Sequence, residues 1–134
     1  MAERPERRAC ARFVIPGATA SLRVKGLIFS GNFTKDSFPV VDISRGGLRL
    51  LTDSLFKAEA GVTLKIFIPG EASALDLKGK VNWVAPNIER SFKYQVGIQF
   101  APYSDNKGEN NLEVFERLKA LEKRFLGVNK DCGR

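Results

Sequence analysis

The sequence predicts a mainly β protein: a six-stranded antiparallel barrel with a C-terminal helix packed on it and a flexible N-terminal arm. Three observations lead there. Between about residue 18 and residue 100, apolar side chains recur at every second position in short runs broken by glycine, proline and polar residues. Only the last segment changes to three- and four-residue spacing, the period of a helix. The 134 residues, 43% of them hydrophobic, are enough for one buried core without a metal or disulfide staple.

Taken in order, residues 1–12 are basic and interrupted by Pro5, which marks a mobile arm. "ATASLRVKGLIFSGNF" reads as one long bent strand, with Gly26 as the kink. "FPVVDIS" and "GLRLLT" form two strands joined by a tight turn at Arg45-Gly46, where a glycine can take positive φ. "AGVTLKIFIPG" alternates Val62, Leu64, Ile66 and Ile68 against Thr63, Lys65 and Phe67, and Pro69-Gly70 ends it. "LDLKGKVNWVAP" offers Leu75, Leu77, Val81 and Trp83. "SFKYQVGIQFAP" places Phe92, Tyr94, Val96, Ile98 and Phe100 on one face. In the last segment Leu112, Phe115, Leu118, Leu121 and Phe125 share a helix face. Asn110 or Asn111 is positioned to cap its start and Gly127 to stop it. The expected organisation is arm 1–12, barrel and helix 13–126, and tail 127–134.

The net charge of +7 implies an anionic partner. Histidine is absent, which removes the commonest general base, the commonest zinc ligand and every Ser-His or Cys-His nucleophile pair. With no Walker sequence and no paired carboxylates in a marked pocket, the chain is expected not to be an enzyme. Cys10 and Cys132 read as two free thiols of a reducing cytosol, although Arg8 and Arg12 flank Cys10 and would favour its thiolate. "ERRACARFVIPGATA" has the look of an export signal, but Arg12 and Pro16 interrupt a core that needs about 7–15 apolar residues. Nothing approaches the roughly 20 apolar residues of a membrane span. A cytoplasmic protein without membrane insertion is expected.

The arginines of that stretch then need another purpose. Arg7, Arg8 and Arg12 stand just before the first strand, and Asp42, Ser44 and Gly47 form "DISRGG" at a strand end and turn. Each alone has an ordinary reading: a solvated basic arm, and a turn in which Asp and Ser bond nearby backbone. In combination, Arg8-Ala9-Cys10-Ala11-Arg12 and Asp42-Ile43-Ser44-Arg45-Gly46-Gly47 resemble the R-x-x-x-R and [D/N]-x-S-x-x-G signature of the PilZ domain family. "GKVNWV" and "YQVGIQF" are similar to its later strands, and the resemblance runs from about Glu6 to Phe125. Arg4 and Arg8 are also four apart, but Glu6 to Phe13 matches the family's usual flanks.

What the resemblance implies is a receptor that binds the bacterial second messenger cyclic di-GMP, with no other cofactor. The residue types suit that ligand. Arginine forks can bond guanine O6 and N7 or a phosphate, and can stack on a base. Asp42 complements the N1–H and 2-amino edge of guanine, Ser44 adds a hydroxyl, and Gly47, with Gly46, admits close approach of the backbone. Trp83 is either a neighbour of a guanine or part of the core. Arg45 and Arg49 add positive field but read by default as solvated.

Ordering the arm costs roughly 1–2 kcal/mol per residue, so only the segment around residues 7–12 is expected to take up a fixed place, and to do so with ligand. The implied output is a ligand-triggered switch read by a downstream protein in processes such as motility or biofilm formation. Two alternatives use the same charge or scaffold: a single-stranded nucleic-acid binder with exposed aromatics, and an adaptor of this fold that binds no ligand.

Overall fold

A computed structural model describes residues 11–24, 37–88 and 91–127. The elements are β1 (Thr19–Val24), β2 (Phe38–Ser44), β3 (Gly47–Thr52), β4 (Gly61–Phe67), β5 (Leu75–Pro86), β6 (Tyr94–Phe100) and α1 (Leu112–Leu126). The strands close into an antiparallel barrel in the order β1-β2-β3-β6-β5-β4, with β4 returning to β1 from Thr19↔Phe67 to Val24↔Val62. The Gly26 segment lies outside the described residues.

Alternation decides the inside of the barrel. Leu22, Leu48, Leu50, Leu64, Ile66, Leu75, Leu77, Val81 and Val96 are all buried to within 1% of completely. Closure removes sheet edges, so every strand finds two neighbours. The weak point is the β1–β2 seam, which consists of Thr19↔Pro39 and Ala20↔Phe38. Beyond it the chain preceding β1 takes over. Pro16-Gly17 turns, with Gly17 at φ 80°, and Ala18 O accepts from the Val40 amide at 3.0 Å. Phe13 then bridges Ile43 antiparallel, through hydrogen bonds of 2.8 and 2.9 Å. Phe13 and Ile15 point into the core while Val14 is exposed. "RFVI" is thus a strand-like filler of the seam, which accounts for its short alternating apolar pattern.

Two expectations change. Gly46 is not among the residues with positive φ. Instead the Ser44 hydroxyl accepts from the Gly46 amide at 3.2 Å, and Gly46 O accepts from the Phe100 amide at 2.9 Å, so the turn is held by neighbours. Trp83 does not join Val81 inside. The β5–β6 register slips between Val81↔Ile98 and Trp83↔Gly97, and this bulge turns the indole to the outer face.

Helix α1 starts where Asn111 accepts from the Glu113 amide at 2.6 Å and stops where Gly127, at φ 96°, donates to Lys123 O. Asn110 is a strut instead: its amide side chain bonds both backbone groups of Lys78 and the carbonyl of Ala101. The helix buries Leu118 and Leu121, and between them and Phe125 sits Glu122, completely buried. Its carboxylate accepts from Arg45 Nε at 3.0 Å and Nη2 at 2.8 Å. Arg45 is only 13% exposed, so it is no solvated surface arginine. Tyr103 donates to Arg45 O, and its ring meets Phe115 of the helix at 4.8 Å. Burial pushes the Tyr103 hydroxyl well above its ordinary range, with nearby Arg45 opposing, so it remains a donor at any physiological pH.

Removing one partner of a buried pair strands the other charge, which outweighs the modest net value of the intact pair. Glu122→Ala should therefore destabilise the protein by about 3–5 kcal/mol. The check is a lower urea midpoint with an unchanged slope, whereas a variant as stable as the parent would contradict this account.

Candidate functional site

The Phe13–Ile43 clip places the two sequence motifs side by side. Arg12 precedes the clipped phenylalanine and Asp42 precedes the clipped isoleucine. Arg12 Nη1 donates to Asp42 Oδ1 at 3.0 Å, across thirty residues of sequence. Arg12 thus has its place through protein contacts, whereas the sequence reading reserved this for the liganded arm. Arg7 and Arg8 lie outside the described residues.

Asp42 has a second arginine. The two-residue turn at Arg45-Gly46 sets Asp42 opposite Arg49 on β3, and the register shifts only beyond that pair, between Asp42 and Val40. Arg49 Nη2 donates to Oδ2 at 2.5 Å, and Nε lies 3.1 Å from Oδ2 and 3.2 Å from Oδ1. The hydrogen bond to Asp42 is the main cause holding the Arg49 guanidinium above its usual pKa, against a smaller desolvation effect. Sequence reasoning treated Arg49 as a solvated charge. The missed signal was cross-strand pairing: a β-hairpin joined at Arg45-Gly46 sets residues 42 and 49 opposite each other with no bulge needed.

The carboxylate is the hub of a row on the outside of the barrel. Asp42 faces Arg49, Arg49 faces Gly97 on β6, and Gly97 faces Trp83 on β5. With neighbouring strands about 4.8 Å apart, the row spans roughly 14 Å, the scale of a dinucleotide. Gly97 gives the indole its bed: a β-carbon there would lie 2.2 Å from Trp83 Cε2 and Nε1. The ring lies against β6 with 36% of the residue exposed, so one aromatic surface is offered to the outside. A carboxylate, two arginine forks and an indole can together accept a donor edge, hold phosphate and stack a base.

Ser44 and Gly47 have structural duties at the end of this row. Ser44 is buried and holds the turn through Gly46, with Gly47 O also near its hydroxyl at 3.5 Å. A β-carbon on Gly47 would meet Ile98 O at 2.2 Å, so the glycine is required by the approach of β3 to β6. Among the described residues, no three His, Cys, Asp or Glu side chains form a metal-binding group, and no helix is long and apolar enough to cross a membrane. A cavity of about 600 Å³ lies between the start of β5, the 101–111 loop and α1. None of the predicted site residues lines it.

The closed six-stranded barrel, the terminal helix and the juxtaposed arginine and aspartate motifs define a small β-barrel binding domain. The PilZ domain profile matches residues 6–116, and the chain belongs to that family. A search of the curated proteins returned no match. Among solved structures the chain is similar to "Structure of Bacillus subtilis Inhibitor of motility (MotI/DgrA)", with 16% identity, TM-score 0.56, and coverage of 84% of this chain and 47% of that one. It is also similar to "Structure of K. pneumonia MrkH-c-di-GMP complex", with 21% identity, TM-score 0.61, and coverage of 94% and 54%. The chain thus spans about half the length of these structures, and the likeness is one of fold.

The two glycines offer a direct check. Trp83 is the single tryptophan of the sequence, so its fluorescence reports this site alone. Gly97→Ala should evict the indole and shift its emission to the red, with a loss of about 1–3 kcal/mol for overpacking. Gly47→Ala should cost at least as much, because it meets backbone, while leaving Trp83 emission near that of the parent at temperatures where the variant is folded. An unshifted Gly97→Ala spectrum would contradict the described bed.

Proposed function

We propose that the chain is a receptor for cyclic di-GMP, a binding protein and not an enzyme. The observation that carries the proposal is the meeting of Arg12 and Asp42 at 3.0 Å, which joins the two family motifs in one site. Family membership and the c-di-GMP complex named for the K. pneumonia MrkH neighbour support it. In this reading Asp42 accepts the N1–H and 2-amino edge of a guanine. Arg7, Arg8 and Arg12 hold the phosphates and the O6/N7 edge. Ser44, Gly46 and Gly47 form the hairpin wall, and Trp83 offers a surface for a guanine to stack on.

The rearranged arm is then the signal, read in the cytoplasm by a downstream protein. Control of motility or biofilm is the proposed process, motility being the one named for the Bacillus subtilis neighbour.

Isothermal titration should show saturable binding of cyclic di-GMP. Arg8→Ala, Arg12→Ala and Asp42→Ala should each weaken it at least tenfold, about 1.4 kcal/mol or more, while Arg4→Ala should not. Single-stranded RNA is the comparison ligand. Tighter binding of the RNA, with the steep salt dependence of many released counterions, would replace this reading with a nucleic-acid-binding barrel. Binding of neither would leave an adaptor.

A further inference from the structure

A guanine and an arginine offer a carboxylate the same thing. Guanine presents N1–H and its 2-amino group side by side from a flat ring, and a guanidinium presents Nε–H and Nη2–H side by side from a flat fork. One edge of a carboxylate accepts one such fork. In this protein the edge of Asp42 is held by Arg49, through Nε and Nη2, while Arg12 bonds Oδ1 by a single nitrogen. The Asp42 side chain is 10% exposed, which leaves little of the carboxylate open to a further planar partner.

We propose that Arg49 is an intramolecular stand-in for guanine, occupying the base-accepting edge of Asp42 and thereby setting the ligand concentration at which the receptor responds. The proposal rests on the cyclic di-GMP reading above and adds a residue that specifies its affinity. Position favours Arg49 over Arg12 for this role. Register fixes Arg49 opposite Asp42 on a paired strand, so its local concentration at the carboxylate is high and independent of the arm. The fork also has somewhere to go. Its neighbour across the row is Gly97, over which the indole of Trp83 lies, so a displaced fork meets an aromatic ring on which a guanidinium can rest. With Arg49 36% exposed, the pair is partly screened, which suits a contact that opens at reachable ligand concentrations. Displacement then exchanges one forked pair on Asp42 for another, and the difference between them is what the titration reads.

Charge and fork can be separated experimentally. Arg49→Lys keeps the positive charge near the phosphates but offers an ammonium point charge instead of a planar fork. Titrated with cyclic di-GMP at low and at physiological salt, Arg49→Lys should bind at least threefold more tightly than the parent. A second readout needs no variant. In the ¹⁵N-labelled parent, the Arg49 Nε–H resonance should be protected from solvent exchange in the free protein and lose that protection on saturation with cyclic di-GMP. Equal or weaker binding by Arg49→Lys, or Nε–H protection that persists at saturation, would overturn the stand-in role while parental binding keeps the receptor reading intact. No binding by the parent would remove the receptor reading itself, and the stand-in role with it.

Discussion

Two backbone hydrogen bonds between Phe13 and Ile43 govern both the closure of this barrel and the assembly of its site. A β-strand leaves unpaired donors and acceptors along any edge without a neighbour, and β1 covers only the first part of β2. The remaining edge is paired by the segment that enters β1, after a turn at Pro16-Gly17. That segment runs antiparallel to β2, so the residues flanking Phe13 and Ile43 turn to the same outer face, where the long side chain before Phe13 reaches diagonally to the residue before Ile43. Arg12 and Asp42 are those residues. The site is a by-product of sealing the seam, and its geometry is as firm as the seam is.

The outer row from Asp42 through Arg49 and Gly97 to Trp83 depends on two features, the tight Arg45-Gly46 turn that sets the β2–β3 register and a register shift in β5. Without the first, Asp42 would not face Arg49. Without the second, the indole would continue the inward alternation of Val81. A bulge re-aims every residue after it, so a single inserted position converts a core pattern into a surface site. This places a carboxylate, two guanidinium groups and an aromatic ring along one line on a rigid sheet. A charge-dense site of that kind is stable only where opposite charges meet, and Asp42 is placed between two arginines.

The "DISRGG" stretch divides its work between ligand chemistry and the barrel itself. Asp42 faces the arginines, but Ser44 and Gly47 secure the hairpin, and Arg45 turns the other way to a completely buried Glu122. The hairpin is therefore held by the helix through Arg45 and by Arg12, before β1, through Asp42. Neighbouring residues of one turn thus connect the two terminal segments of the described chain.

Alternation at period two, one switch to helical spacing and the placement of Asn111 and Gly127 were sufficient to read the strands, the helix and its caps from the sequence, because burial and capping act on a few consecutive residues. The two family motifs were legible for the same reason: each is short. What the sequence could not express was pairing. The bulge that turns Trp83 outward, the Phe13–Ile43 clip and the Arg45–Glu122 pair all join residues distant along the chain. Glu122 did break the apolar face between Leu118 and Phe125, a visible irregularity whose partner was not. Local propensity determined which segments became strands or helix; only closure of the barrel, which makes every edge find a neighbour, decided which side chains meet.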